Sequence, residues 1–449
     1  MLGAMAGSGV HRAWVVGLGT AVVPLDTAVN IAFPAITRGF DLATADIQWV
    51  VICYVLTYTA LTLTLGRVGD IYGHALIFRA GLLWSAAALV LCALAPNFAA
   101  LLVCRFLQGI GAALVLSCGV ALATSFYGEE RRSRVLGVYT MMFAAGLTLG
   151  PWLGGALVQV WDWPAVFWFR VPIVVAALLL SLGLPALPRR AEREPFDFAG
   201  AVLLAAALTA MLLAFNRIGD FAALPLGLAS LAAFAGFAWH EARCAQPIID
   251  PSVFRLPGFA MLNLANVLTN LAAFAVWLLV PFYLVRASDF ALVLSGAILA
   301  TGAVGMVVAS PIAGRLVGLI AAERLALAGA VLVGIGLALI ATWETGTSAA
   351  WLVATLTLQG LGLGLFQLAY TDIVTTAIPR QNRGVAGGLA MVTRTVGTVS
   401  AAATVMLLFQ RLEATAGFFA AFQRTFALVA VLPLAMAALL ALRRRYRAN

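Results

Sequence analysis

The sequence predicts an all-α membrane protein of fourteen transmembrane helices, two six-helix halves with two further helices inserted between them. Three observations predict it. First, 63% of the 449 residues are hydrophobic and only 10% are charged, with a mean hydropathy of +1.03. Soluble domains carry about 45–50% apolar and about 25% charged residues, so a water-soluble globular fold is excluded. Second, apolar runs recur almost without gaps, and one spanning helix takes roughly 20 residues; fourteen take about 280, close to the apolar content. Third, the arginines cluster on alternate sides of those runs.

The runs fall at 14–36, 47–66, 76–95, 98–123, 135–159, 165–187, 197–215, 221–240, 258–285, 291–314, 325–343, 349–374, 384–409 and 419–442. Connections are short and leave no room for a soluble domain. The 42 glycines suit membrane helices, where small residues let backbones approach. All 27 basic residues are Arg. With the N-terminus counted as cytoplasmic, nineteen lie in inside segments, five (Arg38, Arg217, Arg286, Arg411, Arg424) in outside segments, and three within spans. The positive-inside bias therefore places both termini in the cytoplasm. Alternation holds if 197–215 and 221–240 each cross once. A surface pair there would leave twelve spans, but neither run has a charged face, so crossing is preferred.

An internal repeat supports the two halves. "GRVGDIYGHALIFRAG" at 66–81 echoes "GRLVGLIAAERLALAG" at 314–329, and "LQGIG" at 107–111 echoes "LQGLG" at 358–362. The expected division is 1–190, an inserted segment 191–245, and 246–449. Repeated halves place a substrate site between them near the bilayer midplane.

Several chemistries drop out. Without Lys there is neither a phosphate-binding P-loop nor a Schiff base. The net charge of +9 is explained by topology rather than by nucleic acid. The five cysteines lack metal-ligand spacing, His11, His74 and His240 are isolated along the chain, and no metal site is expected. The first run continues past Pro24 to Asp26, unlike the short core of a cleavable signal peptide. Strings such as H-E-x-x-H and G-x-S-x-G are absent, so no enzyme is expected. "GLGLG" at 360–364 lies in an apolar span and reads as helix packing.

Charge inside a span is costly and marks function or pairing. Asp26 lies about twelve residues beyond Trp14, roughly 18 Å from the inner end, and so about 12 Å below the outer face. Arg105 enters from outside about seven residues after Phe98, at roughly 11 Å depth. An Asp26–Arg105 pair is therefore geometrically open, either as a proton site or as a purely structural ion pair. Burial opposes carboxylate ionisation and a guanidinium favours it. Arg keeps its proton, so Asp26 is the member able to titrate. Arg170 stands about six residues into its span, roughly 9 Å from the outer face; it either joins this network or snorkels outward, with snorkelling slightly favoured. Arg394, ten residues into 384–409, stands near mid-membrane, where it could meet an anionic substrate group or backbone carbonyls. Asp372 reads as solvated near an inner end.

Polar residues at helical spacing outline a cavity: Asp26 with Asn30, Arg105 with Gln108, and Asn263, Asn266 and Asn270 in one stripe followed by Trp277 and Tyr283. Any single Asn serves equally well as glue between helices; their convergence favours a cavity. "GLTLGPWLGG" sets Gly146, Gly150 and Gly154 at four-residue intervals, with Pro151 and Gly155 beside them. The glycines permit close helix contact, and the proline bends the helix.

These residues resemble the major facilitator superfamily, and within it the fourteen-span drug:proton antiporters. "LDTAVNIAFPAI" at 25–36, with Asp26, Asn30 and Pro34, is similar to that group's first-helix motif, and "IQWVVICYVL" at 47–56 to its second. "GRVGDIYGH" carries Gly66, Asp70 and Gly73 of the superfamily loop, and "RFLQGIGAA" at 105–113 matches the motif whose Arg the family assigns to proton coupling. The 146–155 glycine string resembles the antiporter signature, and "PIIDPSVFR" at 247–255 the segment before the seventh family helix. The resemblance covers nearly the whole chain. Departures are Ile71, His74 and Ala75 where the family has basic residues, with Arg67 and Arg79 left to supply the charge. Gly318 replaces the Asp of the second-half echo, and Arg170 stands where the group has Asn. That extra charge would favour less cationic substrates.

The resemblance implies a proton-coupled exporter of small amphipathic compounds in the cytoplasmic membrane, working by alternating access. Asp26 and Arg105 would couple protons, while Asn30, Gln108, Arg170, Asn263, Asn266, Asn270, Trp277 and Arg394 would line the cavity. Gly66, Asp70, Gly73 and the 146–155 glycines with Pro151 would gate and pack. Its partners would be a small-molecule substrate, protons and lipid, with no cofactor beyond the proton gradient and no nucleic acid. A dedicated exporter of one metabolite or antibiotic is the nearest alternative, and a non-transporting membrane sensor a more distant one.

Overall fold

The computed structural model describes residues 11–126, 129–184, 197–217, 221, 223–244, 258–287, 290–316, 319–377 and 383–448. It is nearly all helical, without strands among the described residues. The helices are α1 (His11–Ala21), α2 (Ala28–Ile31), α3 (Phe33–Gly39), α4 (Gln48–Tyr72), α5 (His74–Ala93), α6 (Phe98–Ser125), α7 (Glu129–Trp161), α8 (Ala165–Trp168) and α9 (Arg170–Leu182). They continue with α10 (Phe198–Asn216), α11 (Ala223–Glu241), α12 (Phe259–Arg286), α13 (Leu292–Leu316), α14 (Ala322–Ile340), α15 (Ala349–Ala377) and α16 (Arg383–Ala448). The described residues of each of the fourteen apolar runs are largely helical, and eleven described stretches have the length and hydropathy of a crossing. One of these, Thr393–Ala441, is 49 residues long, room for two spans. It breaks at Gly417, whose φ of 77° and ψ of 170° are not helical, between the runs 384–409 and 419–442.

Leu83, Leu91, Val103, Leu179 and Val431 are exposed, as expected of side chains meeting hydrocarbon rather than water. Two compact units form, Met1–Ala43 with Trp49–Ala201 and Thr44–Gln48 with Val202–Asn449. From Val202 onward the helices read as an insertion count with the second unit, where the Ser230 hydroxyl donates to the Ala207 carbonyl at 3.0 Å.

The repeat is visible in the packing of each unit. In the first, α5 lies against α6, and in the second α14 lies against α15. A Cβ on Gly81 would stand 3.0 Å from the Val115 amide nitrogen, and one on Gly329 would stand 2.5 Å from that of Phe366. Gly329 follows Gly81 by the 248 residues that separate the first pair of echoes, and Phe366 follows Val115 by the 251 of the second. The echoed strings thus seat the same backbone approach twice.

The first span is not the continuous helix its hydropathy suggests. Pro24 lacks the N–H that would continue α1, and a 3-10 turn covers Pro24–Thr27 before α2 begins. The Val23 amide bonds Thr20 and the Asp26 amide bonds Val23, the tighter three-residue spacing. Irregular backbone at membrane depth is tolerated where protein encloses it, and 78% of the residues in this span's apolar window are buried.

Candidate functional site

The turn at Pro24–Thr27 presents Asp26 to α6 and α9 inside the first unit. Arg105 grips the carboxylate with both arms, Nη1 to Oδ1 and Nη2 to Oδ2, each at 2.7 Å. The Gln108 amide donates to Oδ1 at 3.0 Å and accepts from Arg105 Nη1 at 2.7 Å. Arg170 Nη1 donates to the same Oδ1 at 2.6 Å. Both guanidiniums are anchored through Nε, Arg105 on the Val50 carbonyl at 2.9 Å and Arg170 on that of Val166 at 3.0 Å. The Tyr54 ring lies 4.3 Å beneath Arg105, a cation–π contact. Side-chain exposure is 2% for Arg105, 0% for Arg170 and 12% for Asp26. The carboxylate is therefore the most exposed member of the cluster.

Of the two alternatives for Arg170, the slightly favoured one, snorkelling, is overturned, and the residue joins the Asp26 network. Its depth, only about 3 Å short of that of Asp26 on the per-residue rise, places it level with the carboxylate, and a carboxylate at hydrogen-bonding distance outcompetes a stretched path to the interface.

α12, α15 and α16 build a second buried cluster, in the second unit and without charge. Asn266 donates to Thr393 Oγ1 at 2.9 Å. Asn270 donates to Asn266 Oδ1 at 2.9 Å, and Gln367 to Asn270 Oδ1 at 2.9 Å. The Tyr370 hydroxyl donates to Asn263 Oδ1 at 2.8 Å and lies 3.0 Å from Thr393 Oγ1. The three asparagines stand in one stripe. Tyr54, Gln367, Tyr370 and Thr393 escaped sequence reasoning as members of these clusters. The usable signal was the three-residue spacing of Gln367 and Tyr370, which puts both on one face of α15.

The glycine string explains how α7 approaches the broken span. A Cβ on Gly146 would meet the Ala21 carbonyl at 2.5 Å, one on Gly154 the Ala28 carbonyl at 2.8 Å, and one on Gly150 would collide with Thr27 Oγ1. Pro151 and Gly155 are buried beside them. The stripe thus supports the turn that carries Asp26.

In the loop motif, Gly73 has φ 100°, a backbone that suits glycine, and precedes α5. Gly66 makes only ordinary contacts, whereas a Cβ on Gly69 would meet Cys118 Sγ at 2.6 Å. The side chains of Arg67 and Asp70, and segment 247–255, lie outside the described residues. Arg79 is engaged by α9. It donates to the carbonyls of Ser181 at 2.7 Å and Leu184 at 3.0 Å, closing the last turn of α9.

Asn30 and Trp277 are half-buried and Arg394 is exposed, its neighbour Thr393 making the cluster contacts. Tyr283 is buried against Phe422, with ring centroids 4.8 Å apart, and donates to the Glu344 carbonyl at 2.6 Å, so it is part of an aromatic packing cluster. Cys244 donates its amide to the His240 carbonyl one turn back at 2.9 Å.

A model of the Major Facilitator Superfamily matches residues 16–402 and again 262–449. The chain is 32% identical over 402 residues to the tetracenomycin C resistance and export protein of Streptomyces glaucescens, covering 85% of this chain and 72% of that one. It is 30% identical over 389 residues to the multidrug resistance protein Stp of Mycobacterium tuberculosis, with the same two coverages. It is 28% identical over 377 residues to the riboflavin transporter RibZ of Clostridioides difficile, covering 83% and 82%.

Proposed function

The chain belongs to the Major Facilitator Superfamily, and we propose that within it the protein is a proton-coupled antiporter exporting small amphipathic organic compounds across the cytoplasmic membrane. In this reading all fourteen runs cross, both termini are cytoplasmic, and two repeated halves alternate access. One observation carries it: a single carboxylate, Asp26, held at the broken centre of the first span by two guanidiniums.

Arg105 and Arg170 keep their protons throughout, so Asp26 alone in this cluster gains or loses charge. Bonded to both arginines, its ionised form is stabilised; when a conformational change lengthens those contacts, burial favours the protonated form. A proton loaded from outside and released inside gives the direction, and the field adds about 2.3 kcal/mol per 100 mV to inward movement. The amide–hydroxyl cluster of α12, α15 and α16 offers neutral hydrogen bonding for the substrate's polar atoms.

Proteoliposomes with an imposed pH gradient test this with a panel of amphipathic dyes of differing charge. Asp26→Asn is expected to abolish gradient-driven dye movement and substrate-induced proton release, while facilitated exchange without a gradient persists. Undiminished proton release from Asp26→Asn removes Asp26 from the role. A narrower reading, export of one compound only, draws on the relatives named for a single substrate, tetracenomycin C and riboflavin. A panel in which a single member moves favours it.

A further inference from the structure

The Asp26 cluster is short of one negative charge and one acceptor. With Asp26 ionised, two guanidiniums face one carboxylate, a formal excess of one positive charge among residues 0–12% exposed. An uncompensated buried ion costs several kcal/mol even after relaxation. The hydrogen bonds show the same shortage. Asp26 Oδ1 accepts from Arg105, Gln108 and Arg170 at once, more donors than an oxygen's two lone pairs take comfortably. Meanwhile Arg170 Nη2, fully buried, has no hydrogen-bond partner among the described residues.

Among the described residues, no second carboxylate closes the count from the elements packed around this turn. α4 brings Tyr54, Tyr58 and Cys53, α5 brings Cys92, and α6 brings Arg105, Gln108 and Cys104. α7 presents its glycines, and α9 presents Arg170. A cationic ligand would add to the excess. An anionic oxygen would supply both the missing charge and the missing acceptor.

We propose that Arg170 and Arg105 form a receptor for an anionic group, so that the compounds this transporter carries bear a carboxylate, sulfonate or similar anion. This rests on the exporter reading and names its substrate class. Arg170 is the specificity-determining residue: it converts a neutral Asp–Arg pair into a cluster that accepts an anion, whose oxygens bond Nη2 and share the load now crowded on Oδ1.

The test is fluorescence anisotropy with the full-length protein in lipid nanodiscs and gluconate buffer, using 5-carboxyfluorescein as anionic probe and ethidium as cationic probe. Wild type is expected to bind 5-carboxyfluorescein more tightly than ethidium. Arg170→Asn, which makes the cluster neutral, is expected to weaken 5-carboxyfluorescein by about tenfold or more, the scale of one charge-assisted bond, and to improve ethidium. Arg170→Lys retains the charge and is expected to restore most of the preference, which a merely structural role would not do. Asp26→Asn, with two guanidiniums and no carboxylate, is expected to tighten the anion further. Chloride titration separates the sources: displacement at millimolar chloride assigns the site to a small inorganic anion, and insensitivity assigns it to the organic substrate. Equal probe affinities in wild type, no saturable 5-carboxyfluorescein binding, or an unchanged preference in folded Arg170→Asn overturns the proposal. Dye movement driven by a pH gradient is a separate readout, so the exporter reading can fail while the anion preference stands, and the reverse.

Discussion

The two units repeat a backbone and diverge in chemistry. Gly81 and Gly329 bring α5 onto α6 and α14 onto α15 by the same close approach. On those partner helices, at the 251-residue offset, Gln108 corresponds to Gln359, but Arg105 corresponds to Leu356, which is 0% exposed. The first unit thus buries a charged cluster on Asp26, and the second buries a neutral one on Asn266 and Asn270. A neutral network can satisfy its members completely and then stiffens the helices it joins. A charged one in low dielectric depends on every partner, and its balance shifts when a proton or an ion arrives. On the proposed reading, the repeat separates a part able to change charge from a neutral part that does not.

The largest effect should come from erasing the difference. Arg105→Leu gives the first unit the residue of the second. It removes the fork on Asp26 and the bond to Val50, leaving the carboxylate to Arg170 and Gln108. Breaking a buried pair costs about 3–5 kcal/mol, so a marked fall in melting temperature is expected in detergent-purified protein, together with loss of gradient-driven transport. A variant as stable as wild type would mean the cluster contributes nothing the neutral unit lacks.

Next in size is the shared feature. Gly81→Ala and Gly329→Ala each push a methyl against the backbone of the partner helix, and overpacking costs typically about 1–3 kcal/mol. Similar losses in thermal melts are expected for the two. A loss at one position and none at the other would separate the units where their packing looks alike.

How far this was legible in the sequence follows from the same contrast. Helix positions were read well because hydropathy is the dominant force in a bilayer and acts on every residue. Asp26 and Arg105 stood out because charge in hydrocarbon is costly, and counting depth at 1.5 Å per residue put them level. Arg170 stays open between network and interface, leaning outward, because a long side chain near an interface has two outlets and sequence does not say which has a carboxylate in reach. The turn at Pro24 was smoothed into a helix because one proline in an apolar run leaves hydropathy unchanged. Gln367, Tyr370 and Thr393 were silent for a different reason. Uncharged polar residues are common in membrane helices, and only three-dimensional convergence distinguishes a network from scattered glue.

The smallest effect sharpens the neutral side. Tyr370→Phe keeps the ring and its stacking against Phe366, with centroids 6.3 Å apart, but removes the hydroxyl that bonds Asn263 and adjoins Thr393. Thr393 still receives Asn266 and bonds the Leu389 carbonyl, and the Asn263 amide still bonds Phe259, so only one acceptor, Asn263 Oδ1, loses its donor. The expected cost is about 1 kcal/mol in a thermal melt, with the proposed proton coupling of the first unit unchanged. Substrate affinity should shift without a change in substrate-induced proton release. A change in proton release from this substitution would show that the neutral cluster takes part in switching, and that the division of labour between the units is less complete than their chemistry implies.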